Sequence, residues 1–182
     1  MKPFFSIVTR TIPGREALLE RNRASVAAQT LDAAEIEHLI VPDAARAGIA
    51  AAQRRLWSVS PRGEYVLVLD DDDFLTAAHC LQDLKLELER AQRPEFAVVR
   101  VSHGQLGEMP RVWGEGVFPA CGEITVSNVV TRHVAWYVHR RNFGEHYAGD
   151  YDFIASLFAK YVPAWCAVNV ATVEHMRHGA TA

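Results

Sequence analysis

Only three cysteines occur in the chain, Cys80, Cys121 and Cys166, and no two stand close enough for a CxxC metal site. The odd count argues against a disulfide scaffold, so they read as reduced, mostly buried thiols. Long hydrophobic runs are also missing, because no stretch of 18 apolar residues exists. Near the N-terminus Phe4, Phe5, Ile7 and Val8 are interrupted by Arg10 and Pro13, far short of a signal-peptide core. A soluble cytoplasmic protein with no integral membrane segment is therefore expected. Nor is there an excess of one charge: the net charge is −3 and no Lys/Arg block stands out, which gives little support to a broad nucleic-acid footprint. Internal repeats and low-complexity tracts are absent. What remains is a 182-residue chain that is 49% hydrophobic, enough for one domain with a proper core.

Against this background four consecutive aspartates, Asp70 to Asp73, carry the most information. They close the apolar run Tyr65 to Leu69, which reads as a buried strand. Clustered carboxylates at the end of a strand repel one another unless a cation sits among them, so the junction points to a divalent metal. In open α/β sheets ligands bind beyond the carboxyl ends of strands, which is where a metal-bound phosphate belongs. A polar turn with a helix N-cap is the competing explanation, and it suits Asp73 best, because Leu81, Leu84 and Leu88 begin a helical pattern soon afterwards. One helix does not need four caps.

The first half alternates in the βαβα manner, predicting a mainly parallel sheet covered by helices. Strands are expected at Phe4 to Thr9, Glu37 to Val41, Tyr65 to Leu69 and Phe96 to Val101, with helices around Leu18 to Val26, from Ala47 to Val59, and over Leu81 to Leu88. The character changes after Ser102. Residues 103–122 are glycine-rich and contain Pro110 and Pro119, which fits a long hairpin or loop over a site. Ile124 to Thr131 is strand-like, an amphipathic helix enters through Gly149-Asp150-Tyr-Asp152, and Ala164 to Val173 forms a last strand. One domain is expected, with a nucleotide-sugar-binding half (1–102) and an acceptor and catalytic-base half (103–182). Thr9, Thr11 and Arg15 follow the first strand and Asp43 follows the second, so all share a sheet edge with Asp70 and are candidate nucleotide contacts. For Asp43 a turn after Pro42, and for Arg15 a surface charge at a helix start, are the plainer alternatives.

Four segments in this order resemble the family 2 glycosyltransferases, which have the glycosyltransferase A fold: a Rossmann-like, mixed, mainly parallel sheet flanked by helices. They are Phe5 to Arg15 with Ala17 to Arg21 and Ala28-Gln-Thr30; Gly48 to Arg55 followed by Gly63 to Asp73; Gly149-Asp-Tyr-Asp-Phe153; and Arg177-His-Gly179. The first resembles the family's first strand, loop and helix ending in AQT, and the second its GxxxARN and GEYxxxLDxDD stretch. The third resembles the EDYDL helix start and the fourth a late histidine segment. Gln53 stands where the family often has the arginine of ARN, and Gly149 replaces the glutamate before the aspartate.

The resemblance implies an inverting transfer of a sugar from a nucleotide-diphosphate sugar, with UDP as the expected nucleotide, and a Mn²⁺ or Mg²⁺ cofactor. In that reading Asp72 binds the metal, Asp70 or Asp71 contacts ribose or metal-bound water, and His178, with His175 as the alternative, completes the metal or phosphate contacts. Asp43 would meet a uracil-type base. Asp150 is the expected general base, with Asp152 in reserve; a helix N-cap and a dipole-stabilising acid are their respective alternatives. Trp113, Trp136 and Tyr137 are candidates for stacking on an acceptor, with core packing as the plainer role. The acceptor class stays open among saccharides, lipid-linked sugars, proteins and modified nucleic-acid bases. Sugar-phosphate nucleotidyl transfer is a weaker alternative, since Thr9 to Arg15 offers one glycine and no lysine for a phosphate loop. Metal-dependent phosphohydrolysis and a non-catalytic nucleotide-sugar-binding protein are the others.

Overall fold

A computed structural model describes residues 2–43, 45, 47–104 and 106–174. Strands β1 (Phe5–Thr11), β2 (Ile36–Pro42), β3 (Tyr65–Val68), β4 (Phe74–Leu75), β5 (Phe96–His103), β6 (Gly107–Met109), β7 (Val129–Arg132) and β8 (Ala164–Val173) form one sheet. Its order is β2-β1-β3-β7-β5-β8-β4, with β6 hairpinned onto β5. β1 lies parallel to both β2 and β3, and β5 parallel to β8, whereas β7, β6 and β4 join antiparallel. Strands from before and after residue 102 therefore interleave in one sheet.

Side chains along each strand alternate between the two faces. Ile7, Tyr65, Leu67 and Leu69 face one core, covered by helices α1 (Glu16–Ala27) and α3 (Cys80–Arg90) through Val26, Leu81, Leu84 and Leu88. Val8, Val66 and Val68 face the other. There helices α2 (Ile49–Ser58), α4 (His133–His139) and α5 (Gly149–Phe158) supply Leu56, Trp136, Phe153, Ile154 and Leu157. Within this second core Phe143 and Phe153 stack, and Trp136 meets both rings edge-on. Gly63 precedes β3 with no room for a side chain: a Cβ there would lie 2.5 Å from the Ser6 backbone nitrogen.

Several elements differ from expectation. β1 runs on to Thr11, and residues 124–131 split into a 3-10 turn at Val126–Asn128 and the strand β7. Asp73 is not a helix cap, because β4 intervenes and α3 begins only at Cys80, after His79. Helix α4, unanticipated, buries Ala135 and Trp136. Among the described residues no helix is long and apolar enough to cross a membrane.

Candidate active site

β1, β2 and the chain leaving β3 end along one edge of the sheet, where a cleft of about 780 Å³ opens. It is lined by Arg10, Thr11, Arg15, Asp43 and the aspartates, and also by His103, Leu106, Met109, Ile124 and Tyr147. Helix α5 closes the end of the cleft with Asp150 and Tyr151.

The aspartate turn is built by its backbone. Asp73 N–H donates to the Asp70 carbonyl at 3.0 Å. Fully buried Asn22 of α1 donates through Nδ2 to the carbonyls of Asp70 at 3.0 Å and Asp73 at 2.9 Å, with Leu69 at 3.5 Å. Arg21 adds a bond to the Asp72 carbonyl at 2.8 Å. Backbone oxygens are thereby tied down on the α1 side. The four carboxylates then differ in role. Asp73 is buried and accepts from Ser127 Oγ at 2.9 Å; burial first, then Asp70 and Asp72, hold it well above the usual carboxylate range. Asp71 is buried as well, and burial raises it despite a hydrogen bond from Thr11 and the Arg15 charge. Arg15 reaches into the cleft and contacts Asp71 at 3.0 Å and Asp72 at 2.6 Å.

Asp70 points to the other face and meets Arg10 in a two-pronged pair, Nε to Oδ1 at 2.7 Å and Nη2 to Oδ2 at 2.6 Å. The same guanidinium reaches Asp150, Nη1 to Oδ1 at 3.3 Å and Nη2 to Oδ2 at 3.2 Å. Gln53 of α2 completes the group: its Oε1 accepts from Arg10 Nη1 at 3.1 Å, and its Nε2 donates to Asp150 Oδ1 at 2.8 Å. Burial works against the charge of Arg10, but Asp150 and Asp70 outweigh it and hold the guanidinium protonated. Gly149 permits this approach of α5, since a Cβ there would sit 1.9 Å from the Gly144 carbonyl oxygen. A larger residue before Asp150 has no space. At the far side Asp43 accepts from the Ala47 N–H at 3.2 and 3.1 Å and pairs with Arg55 at 2.5 Å. Burial would raise Asp43, but those N–H bonds and Arg55 bring it below the usual range.

Thr11, Arg15, Asp43, Asp70, Asp71, Asp72 and Asp150 thus share one cleft. Thr9 does not: it is fully buried on the α1 face, bonded to Asn22 at 3.2 Å and to His38 at 2.9 Å. Strand alternation turns Arg10, not Thr9, toward the cleft. Asp152 also points elsewhere, exposed and paired with His146 at 2.7 Å. His175 and His178 lie outside the described residues. Trp136 is core, Trp113 packs edge-on against Trp165 under the Arg100 guanidinium, and Tyr137 lies beneath Arg140; none lines the cleft. The residues not anticipated are Arg10, Asn22 and Gln53. Only the departure at Gln53 gave a sequence signal.

The carboxylate chemistry can be tested against a metal. Among the described residues no group of three or more His, Cys, Asp or Glu side chains converges to hold one. Mg²⁺ or Mn²⁺ is commonly held by one or two carboxylates plus phosphate and water, and the hard oxygens of Asp70 and Asp72 suit that arrangement. Charge agrees. Asp70, Asp71, Asp72 and Asp150 share the guanidiniums of Arg10 and Arg15, and burial together with Asp72 and Asp70 still raises Asp71, so the turn favours a further cation.

No family model matches the chain, and no curated protein matches it either. Solved structures do. Staphylococcus aureus TarS residues 1–349 in complex with UDP superposes with a TM-score of 0.72 at 13% identity, over 96% of this chain and 60% of that one. The same protein in complex with UDP-GlcNAc gives 0.66 at 14% identity, over 97% and 59%. This is the glycosyltransferase A fold. A mannosyltransferase from Pyrobaculum calidifontis, in complex with GDP-Man and Mn²⁺, shares it with a TM-score of 0.61 at 14% identity, over 98% of this chain and 59% of that one. The chain spans about 60% of the length of these neighbours.

Proposed function

We propose that the chain transfers a sugar from a nucleotide-diphosphate sugar, with UDP as the preferred nucleotide, to an acceptor hydroxyl with inversion at the anomeric carbon. The observation that carries this is the shared guanidinium of Arg10, which brings the Asp150 carboxylate beside Asp70 at the end of β3. Asp150 accepts the acceptor proton as general base. Thr11, Arg15 and Asp71 contribute to donor binding at the same edge, and Asp43 faces the nucleotide base. Asp72 with Asp70 would hold Mg²⁺ or Mn²⁺, which when bound neutralises charge at the departing diphosphate. The wall from residue 103 to 122 meets the acceptor, which is a saccharide, lipid-linked sugar, protein or modified nucleic-acid base. Free thiols at Cys80, Cys121 and Cys166 fit a reducing, cytoplasmic setting.

The test is Asp150→Asn, assayed with UDP-GlcNAc and GDP-mannose. Turnover, including slow hydrolysis of the donor, is expected to fall by ~10²–10⁴, with donor affinity changed only a few-fold. Asp152→Asn costs far less, because its carboxylate lies outside the cleft. Wild-type turnover of the Asp150 variant, or an equal loss of donor affinity, shows that the wrong carboxylate carries the role.

A further inference from the structure

Arg10 is an unusual occupant of a central strand: its side chain is only 17% exposed, and it is committed to two separate carboxylates. One belongs to the turn after β3, the other to the first turn of α5, residues 80 positions apart in the chain. No other described cation contacts Asp150; its remaining polar partner is the neutral Gln53. A flexible ammonium cannot make both planar contacts, whereas a guanidinium fork can.

We propose that Arg10 is a positioning residue that ties the base Asp150 to the donor-site carboxylate Asp70. This rests on Asp150 as the base. The fork fixes the direction in which the Asp150 oxygens point. Gln53 holds the same oxygen, Oδ1, from the α2 side, so the base is gripped by two elements besides its own. Any shift of Asp70 on donor arrival is transmitted through the guanidinium to the base, because both carboxylates share Nη2. Orientation of the base thus becomes coupled to the state of the donor site.

The test measures hydrolysis of UDP-GlcNAc or GDP-mannose, whichever the wild type turns over, by the full chain. Arg10→Gln is expected to lower the rate at least tenfold. In an Asp150→Asn background the same substitution is expected to cost less than about twofold more, because Arg10 acts through that carboxylate. Arg10→Lys keeps the charge but loses the fork, so its rate still falls. Full additivity of Arg10→Gln and Asp150→Asn overturns the proposal. If Arg10→Gln does not fold, a wild-type rate in Arg10→Lys overturns it instead. Should Asp150→Asn alone retain full turnover, the base assignment fails, and a tenfold loss in Arg10→Gln then shows that Arg10 acts through a group other than that carboxylate.

Discussion

Asn22→Leu removes the staple that holds the aspartate turn, and its cost follows from the bonds lost. The Asn22 amide supplies the side-chain hydrogen bonds to the Asp70 and Asp73 carbonyls, at 3.0 and 2.9 Å, and its Oδ1 accepts from Thr9. Leucine matches the volume but offers no donor. A buried carbonyl left unpaired costs ~1–3 kcal/mol; the Asp70 carbonyl keeps the Asp73 N–H, so the loss falls on the Asp73 carbonyl and comes to roughly 1–3 kcal/mol, a sizeable part of the stability of a domain this size. That corresponds to a melting temperature lower by roughly 2–12 °C. Because the turn presents Asp70 and Asp72, binding of UDP with Mn²⁺ weakens in the same variant. Urea unfolding and calorimetry read the two effects separately. A variant with wild-type stability and wild-type UDP affinity would show that the turn holds its shape without Asn22, and the reasoning would fail.

UDP is expected to bind at least about tenfold more weakly after chelation than with Mn²⁺, because the surplus of cleft carboxylates repels a diphosphate; Asp72→Asn is expected to weaken the Mn²⁺-dependent component, and calorimetry showing equal affinity with and without the ion removes the metal role. His38 is pulled down to about 4 by burial and by Arg23. Its folded value lies below the unfolded one, so the neutral form favours the fold. Stability is then full above about pH 6.5 and is lost as pH falls toward 4, by less than about 3 kcal/mol for a partly exposed ring. Urea midpoints at pH 7.5 and 5 measure this slope, and His38→Gln must flatten it.

Most of the fold was legible because strands and helices here obey their periods. Leu81, Leu84 and Leu88 mark one helix face, all fully buried, and Ala164 to Val173 forms β8 over those same residues. β4 was hidden for a physical reason. It is two residues long, and it exists because Phe74 and Leu75 pair with Thr172 and Ala171 nearly a hundred positions away. No local pattern announces such a strand. Helix α4 was masked by its composition: Val134, Tyr137 and Val138 are β-formers that remain exposed, while Ala135 and Trp136 anchor it to the second core.

The carboxylates of the site were legible and their counter-charges were not. Four adjacent aspartates repel one another wherever they fold, and that alone points to a cation. It does not say which cation. Arg10 and Arg15 already supply two: Arg15, at a helix start, is legible as a nucleotide contact and not as a partner of the aspartates, and Arg10, inside an apolar strand, does not stand out at all. Whether a strand arginine faces solvent, core or cleft is decided by register, and a one-residue shift would exchange it with Thr9. Gln53 follows the same logic from helix α2. A second cation there would stand against Arg10 at the 3.1 Å contact that the amide oxygen now satisfies, so the neutral residue on α2 and the charged one on β1 are two halves of one choice. A neutral side chain at position 53 thus suits the guanidinium at position 10, and the pair together holds the Asp150 carboxylate.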